Sequence, residues 1–436
     1  MEREIIKDLI AWKNSNRRKP LILQGARQVG KTWLMKSFGE NYYDSYVYLN
    51  FEEKDIEDIF SEGLDAHKII KYIELINNIE INKENTLIIF DEIQESDNAL
   101  KSLKYFNEQA NEYHIIAAGS FLGVKLHAKS SFPVGKVNFL NIYPMTYLEF
   151  LKATGNERYA SLIKEYDYKT IENVSHILIN KLKEYYLVGG MPEVVQSFVE
   201  NENYSEVKEI QNELLNGYLQ DFSKHAPHNL VPKIIKIFES IPMQLAQERK
   251  KFKYSSVEIN ARARTHEEAL GWLENTGLIT LIKRSTKIAA PLKFYFDEST
   301  FKVFMLDVGL LSNLLNVNAD ILLKDDKVFT EFKGALAEQY VVQQLQQSNI
   351  AIGYWHNKNT QTEIDFVVDI SNKIIPIEVK SGFNIRAKSL KSYIEIHQPE
   401  LAIRTSLLNY NSGSKIVDLP LYMINNVCEF VCNLNK

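Results

Sequence analysis

Short apolar runs alternate with amphipathic stretches along the N-terminal third of the chain. Leu21-Ile22-Leu23 stops at Gly25, and Tyr46 to Phe51, Leu87 to Phe90 and Ile115 to Ala118 are three further runs. Between the second and third, Asp55 to Asn78 places Ile56, Ile59, Phe60, Ile69, Ile70, Ile73 and Ile76 at helical spacing. These short runs read as strands buried on both faces, with helices between them. The pattern predicts an open, mostly parallel α/β sheet.

From about Tyr159 the periodicity turns helical. The stretch Asn180 to Leu187 ends at Gly189-Gly190, a helix stop, and Pro192 stands where a following helix tolerates proline. A polar break from Ser223 to Pro232 divides the chain. A helical unit follows, closing in a hairpin-like stretch from Leu278 to Phe296. A loop is expected near Asp320 to Lys327, then a final α/β unit.

Composition narrows the setting. Hydrophobic residues make up 45% and charged residues 25% of 436, an ordinary globular balance, and the net charge of −5 gives no global pull towards nucleic acid. The two cysteines, Cys428 and Cys432, are too few for a disulfide scaffold or a structural zinc site and are expected to pack in a C-terminal helix or core. Met1 to Lys19 has mixed charge and lacks the apolar centre of a signal peptide, and no uninterrupted apolar run is long enough to span a bilayer. These features predict a cytoplasmic protein without a membrane partner.

The chemistry concentrates first at Gly25-Ala26-Arg27-Gln28-Val29-Gly30-Lys31-Thr32, with Trp33 next in line. Strand, glycine-rich loop and helix in that order form a phosphate cradle. Gly25 and Gly30 let backbone N–H groups turn inward, Lys31 places a charge on the β- and γ-phosphates, and the Thr32 hydroxyl can ligate Mg2+. The following helix aims its positive end at the anion. About 60 residues on, Leu87 to Phe90 deliver Asp91 and Glu92 to a strand end, where ligands of open α/β sheets bind. Asp91 is the expected Mg2+ residue and Glu92 the base for the attacking water. Ser120, after the next strand, is a candidate for the γ-phosphate or that water, against a plain turn. Asn50 is a candidate restraint on Glu92.

These residues resemble the AAA-type P-loop ATPases. The wider set resembles a prokaryotic family of them with a C-terminal domain of unknown function: Pro133-Val134-Gly135-Lys136, Ile142 to Phe150, Gly189-Gly190-Met191-Pro192-Glu193, Lys302 to Leu311, Glu363-Ile364-Asp365-Phe366 and Ile377-Glu378-Val379-Lys380. In outline the resemblance spans nearly the whole chain. It implies an AAA-type core over residues 1–155, a helical lid over 156–224, a winged-helix domain over 225–326 and a restriction-endonuclease-like α/β domain over 327–436. The family usually has Gly-Arg where this chain has Gly135-Lys136, and lysine lacks the planar fork of an arginine finger.

Within the middle region, Tyr254 to Ile279 reads as helix, turn, helix, with Ser255-Ser256 capping the first and Thr265 opening the second. The implied wing carries Lys283, Arg284 and Lys287, and Gln247 to Lys251 adds positive charge. Glu267, Glu268 and Glu274 on the second helix oppose a phosphate-lined groove, so packing or protein contact is favoured over base reading. Further on, Glu363 to Asp369 and Lys373 to Lys380 alternate about a Ser371-Asn372 turn. Glu378 and Lys380 share a strand face, with Asp365 on the neighbouring strand. Glu338 joins them from a helix over Glu331 to Gln347, on a stripe with Ala335, Val341, Val342 and Leu345. Asp365, Glu378 and Lys380 are candidate catalytic groups, and Glu338, Asp365 and Glu378 candidate metal ligands. The competing reading is a surface hairpin with an ordinary ion pair.

Two functions stay open. One is an ATPase using ATP and Mg2+, coupled to a nuclease-like domain that binds or cleaves DNA. The other is a nucleotide-controlled switch for a protein partner, responding to ATP or ADP, with a silent nuclease-like domain. Either fits an oligomer.

Overall fold

A computed structural model describes the chain apart from residues 1, 54–55, 57–58, 61–62, 120–134, 249, 325–329, 358, 384–387, 414 and 435–436. It forms two compact units. One comprises Arg3–Tyr143 with Asn275–Gly277, and the other Pro144–Glu274 with Leu278–Lys436.

The N-terminal unit is built on five parallel strands: β1 (Leu21–Gln24), β2 (Ser45–Asn50), β3 (Thr86–Asp91), β4 (His114–Ala118) and β5 (Asn138–Asn141), in the order β2-β3-β4-β1-β5. The expected parallel sheet is therefore present. β3 and β4 are buried at every position, because both faces of a parallel sheet are covered by helices. β5 is an edge strand that alternates between partly buried and exposed, and its short Asn138-Phe139-Leu140-Asn141 run carries no continuous apolar signal. Ile70, Ile73, Leu103 and Phe106 from two helices close one core over Val47, Ile88 and Ile115. Within the stretch expected to be helical from Asp55 to Asn78, Ala66–Asn77 is an α-helix. Gly63 holds a positive φ of 118°, and Asp65 caps the start through a 3.0 Å bond from the Lys68 N–H.

The second unit carries a mixed sheet of eight strands, β12-β13-β11-β10-β9-β8-β6-β7. These are β6 (Ile279–Ser285), β7 (Phe296–Met305), β8 (Ala351–His356), β9 (Glu363–Ile370), β10 (Lys373–Val379), β11 (Ala402–Ser406), β12 (Asn411–Ser412) and β13 (Ile416–Pro420). Ser371 and Asn372 both have positive φ, so the β9–β10 turn falls where the sequence places it. The helix Tyr168–Val188 stops at Gly189, and Pro192 opens the next helix, Pro192–Asn201, also as read.

Three local expectations change. The first helix of the expected helix-turn-helix is a single 3₁₀ turn, Tyr254–Ser256, and Thr265 lies inside the helix Ala263–Asn275 rather than before it. The hairpin read as a wing has β6 hydrogen-bonded on both sides, antiparallel to β7 and parallel to β8. Of the expected loop near Asp320, Ala319–Lys324 forms a short helix.

Two sequence markers prove to be one structural element of the second unit. The buried Asp307 carboxylate accepts from the Gly309 and Leu310 N–H groups, capping the helix Val308–Leu314, and its other oxygen accepts from the Gly190 N–H at 2.7 Å. A Cβ on Gly309 would meet the Val188 carbonyl oxygen at 2.5 Å, so only glycine lets these backbones approach. From the helix Thr330–Leu345, Gln343 donates to Asp307 and accepts from the Val308 N–H, while Gln339 bonds both the N–H and C=O of Met305. Buried glutamines are thus satisfied by backbone groups and by the Asp307 carboxylate, which is why an apolar helix face tolerates them.

No helix among the described residues is long and apolar enough to cross a membrane.

Candidate functional site

β1 feeds the loop Gly25–Gly30 directly into the helix Lys31–Tyr42. Gly25 (φ 153°), Gln28 (φ 68°) and Gly30 (φ 91°) give the loop its curl. At Gly25 a Cβ would lie 2.2 Å from the Ile142 carbonyl oxygen, so glycine is required for both angle and space. Val29 is fully buried and anchors the loop, Ala26 is buried, Gln28 is exposed, and Trp33 stands about half exposed (48%) on the first turn of the helix. Buried Arg3 braces the loop from beneath by donating to the carbonyls of Val29 (3.1 Å) and Tyr143 (2.7 Å). No sequence pattern announces that role.

The Lys31 ammonium turns back into the loop and donates to the carbonyl oxygens of Gly25 (3.0 Å) and Ala26 (2.8 Å). Burial lowers its pKa to about 8; Glu92 and Asp91 push it back up, and Arg27 pushes it down. The Thr32 hydroxyl donates to Asp91 Oδ2 at 2.6 Å, and the Tyr48 hydroxyl donates to the same oxygen at 3.0 Å. Lys36 stacks its ammonium over the Tyr48 ring at 3.7 Å, so the tyrosine is held from both ends. A hydroxyl and a carboxylate in direct contact are a hard oxygen donor set that suits Mg2+.

Glu92 follows in a left-handed conformation (φ 48°), an uncommon one for glutamate and of the kind held at functional sites. Its carboxylate accepts from Gln94 Nε2 at 2.6 Å. Asn50, the residue expected to restrain Glu92, turns its Oδ1 to the Glu52 N–H instead. Tyr48 and Gln94 are site neighbours that sequence reasoning missed, although both lie within three residues of a residue it singled out. Ser120 lies outside the described residues. Lys136 pairs with Glu108 at 2.9 Å.

The C-terminal candidates sit in the second unit. Antiparallel β9 and β10 bring Asp365 beside Glu378, and Asp365 Oδ2 accepts from the Val379 N–H at 2.8 Å. Lys380 Nζ donates to Glu378 Oε1 at 2.7 Å. Glu338 reaches the same cluster from its helix: the charges of Glu338, Asp365 and Glu378 influence one another. Burial, then Glu338 and Glu378, drives the Asp365 pKa well up. Two partners were not foreseen. Lys250 pairs with Glu338 Oε1, and the fully buried Lys302 lies 3.6 Å from Glu338 Oε2 and 2.6 Å from Glu363 Oε1. Burial pushes the Glu338 pKa up, but Lys250 and Lys302 outweigh it and bring the group down. Among the described residues, no group of three or more His, Cys, Asp or Glu side chains is placed to hold a metal ion. The set converges as carboxylates with lysines.

The hairpin cations are likewise committed. Arg284 pairs with Asp297 at 2.6 Å, Lys283 with Glu298, and Lys287 lies over the Tyr295 ring.

Three stretches of the chain match known families. Residues 17–151 match the family described as an AAA domain. The N-terminal unit carries an AAA-type P-loop ATPase domain. Behind the AAA domain, residues 179–321 and 333–423 match two domains of unknown function, DUF8612 and DUF4143. An uncharacterized protein of Methanocaldococcus jannaschii is 29% identical over 206 residues, 43% of this chain and 41% of that protein, so the match spans less than half the relative's length. A Walker-type ATPase of Pyrococcus abyssi aligns over 72% of this chain and 95% of its own at 16% identity, with a TM-score of 0.45. The Orc1 protein of Aeropyrum pernix, solved in complex with DNA, aligns over 72% and 90% at 10% identity, with a TM-score of 0.28.

Proposed function

We propose that the protein is a magnesium-dependent ATPase whose AAA domain binds ATP at Gly25–Thr32 and hydrolyses it with Glu92 as the base. The observation that carries this reading is the contact of Thr32 with Asp91, with Lys31 and Glu92 on either side of it in sequence. The loop N–H groups and the Lys31 ammonium hold the phosphates, exchanging the Gly25 and Ala26 carbonyls for phosphate oxygens. Thr32 and Asp91 are the residues that would hold Mg2+, which supplies positive charge against the phosphoryl group as it transfers. Glu92 accepts a proton from the attacking water. Trp33 supplies an exposed aromatic face beside the cradle, and Ser120 is proposed as a polar group for the γ-phosphate.

In this reading residues 156–224 serve as a helical lid, 225–326 as a winged-helix-like region and 327–436 as a nuclease-like domain. The exposed Glu267 and Glu268, together with the paired Lys283 and Arg284, favour a protein partner over DNA for the middle region. ATP-dependent control of a protein contact is therefore the preferred output. The test is Mg-ATP turnover by the full chain. Lys31→Ala should abolish nucleotide binding, and Glu92→Gln should keep binding and stop turnover. Wild-type hydrolysis by Glu92→Gln would remove Glu92 from the mechanism.

A further inference from the structure

Tyr48 lies on β2, apart from the phosphate loop, the helix that follows it and the strand that ends at Asp91, and the hydrolysis above gives it no task. We propose, resting on the reading of Thr32 and Asp91 as the magnesium pair, that Tyr48 is a positioning residue for the cation. It fixes the Asp91 carboxylate in the orientation that receives Mg2+, and Lys36 in turn fixes Tyr48.

Strand register places the hydroxyl. β2 and β3 run parallel, with Tyr48 opposite Ile89 and Asn50 opposite Asp91. Side chains two apart on a strand share a face, so Tyr48 stands on the same side of the sheet as Asp91, one step behind it. A tyrosine is long enough to cross that step diagonally, and its hydroxyl donates to Asp91 Oδ2 at 3.0 Å. Asn50, directly opposite Asp91, is too short for such a reach along the strand and turns its Oδ1 to the Glu52 N–H.

The carboxylate is thereby held at both oxygens. Oδ2 accepts from the Thr32 and Tyr48 hydroxyls, and Oδ1 accepts from the Glu92 N–H at 3.1 Å. The Glu92 N–H belongs to the adjoining peptide and Thr32 is itself a proposed metal ligand. Among the described residues, Tyr48 is the donor to this carboxylate that comes from a separate strand. Lys36 follows Thr32 by four positions on the helix Lys31–Tyr42, a spacing that puts both on one helix face. Its ammonium lies 3.7 Å from the centre of the Tyr48 ring, and the attraction of a cation for an aromatic face holds the ring from behind while the hydroxyl is held in front. Groups that hydrogen-bond a metal-binding carboxylate set metal affinity or activity by roughly ten- to a hundredfold.

The experiment is calorimetric binding of an ATP analogue with an imido β–γ bridge to the full chain, once in EDTA and once in excess Mg2+. The readout is the factor by which Mg2+ tightens binding, and turnover does not enter it. Tyr48→Phe removes the hydroxyl and keeps the ring. It should shrink that factor by about tenfold, or abolish it, while binding in EDTA stays within about twofold of wild type. Lys36→Met should shrink the factor by less, and Lys36→Arg, which keeps a cation over the ring, should restore it. A Tyr48→Phe protein with an undiminished Mg2+ factor would overturn the proposal. Equal losses in EDTA and in Mg2+ would overturn it too, since they mark a disturbed loop rather than a misplaced carboxylate. Should Tyr48→Phe lose its native circular dichroism, the Lys36→Met and Lys36→Arg pair decides on the same readout. A wild-type chain whose binding ignores Mg2+ would instead remove the magnesium reading of Thr32 and Asp91, so the two failures are told apart.

Discussion

The Thr32 hydroxyl and the Asp91 carboxylate meet at 2.6 Å, joining the first turn of the phosphate-loop helix to the end of β3. Each holds the other in the orientation that a divalent cation between them would need. Thr32→Val and Asp91→Asn should each lower kcat by about a hundredfold or more, the scale seen when a transition-state charge partner is removed. ATP affinity measured without magnesium should change less than threefold in the valine variant. Equal losses with and without magnesium would show that the pair serves the fold rather than the cation.

Lys31 gives a pH dependence with a definite sign. Its pKa, lowered chiefly by burial to about 8, means that the nucleotide-free loop carries the ammonium below pH 8 and loses it above. Triphosphate favours the charged form, so binding above pH 8 must take up a proton. ATP affinity, by calorimetry in buffers of different ionisation enthalpy, should be level up to about pH 7.5 and fall by up to tenfold per pH unit above 8. Proton uptake should appear over the same window. A flat affinity from pH 7 to 9.5 would contradict the assignment of Lys31 to the phosphates.

Gln94 donates to the Glu92 carboxylate at 2.6 Å and is itself buried, so it fixes where the proposed base points. Its contact is with Glu92, through which it acts as a positioning residue. Gln94→Leu should reduce kcat by about tenfold while leaving KM within twofold, the pattern of an interaction used only in the transition state. Gln94→Asn, which keeps the amide but shortens its reach, should fall between. A parallel rise in KM and loss of kcat would indicate a disturbed loop instead.

Much of the N-terminal unit could be read from the chain because its signals are local. Four short, mainly apolar runs marked four strands, and Gly25 to Thr32 marked the strand-loop-helix passage. β5 escaped because its four residues, Asn138-Phe139-Leu140-Asn141, carry no continuous apolar signal, and Arg3 because its partners, Val29 and Tyr143, are distant in sequence. The helix Ala66–Asn77 starts after Gly63, a break that apolar periodicity alone does not mark. In the second unit the Ser371-Asn372 turn was legible and the membership of β6 and β7 in an eight-stranded sheet was not, since strand pairing across β8 is set by tertiary contact. Lys302 and Lys250 were invisible as partners of Glu338 for the same reason: 36 and 88 residues separate them from it, and nothing in a lysine's neighbourhood in sequence says which carboxylate it will meet.

Asp307 offers the most direct test of the second unit. Its two oxygens satisfy the N–H groups of Gly190, Gly309 and Leu310 and the Gln343 amide, all of them buried. Asp307→Ala strips all four donors at once and opens a void beneath Gly189, so a loss of about 3 kcal/mol or more is expected. Asp307→Asn keeps an acceptor for the helix cap but turns an NH2 group towards the Gly190 N–H and the Gln343 amide. Gln343 cannot simply flip in response, because its Oε1 is held by the Val308 N–H at 2.8 Å. Asparagine should therefore cost part of what alanine costs, not nothing. Urea unfolding followed by circular dichroism, compared at equal m-value, measures both. An alanine variant within 1 kcal/mol of the parent would mean that water replaces the carboxylate there, and that the two motifs meeting at Asp307 are held by packing alone.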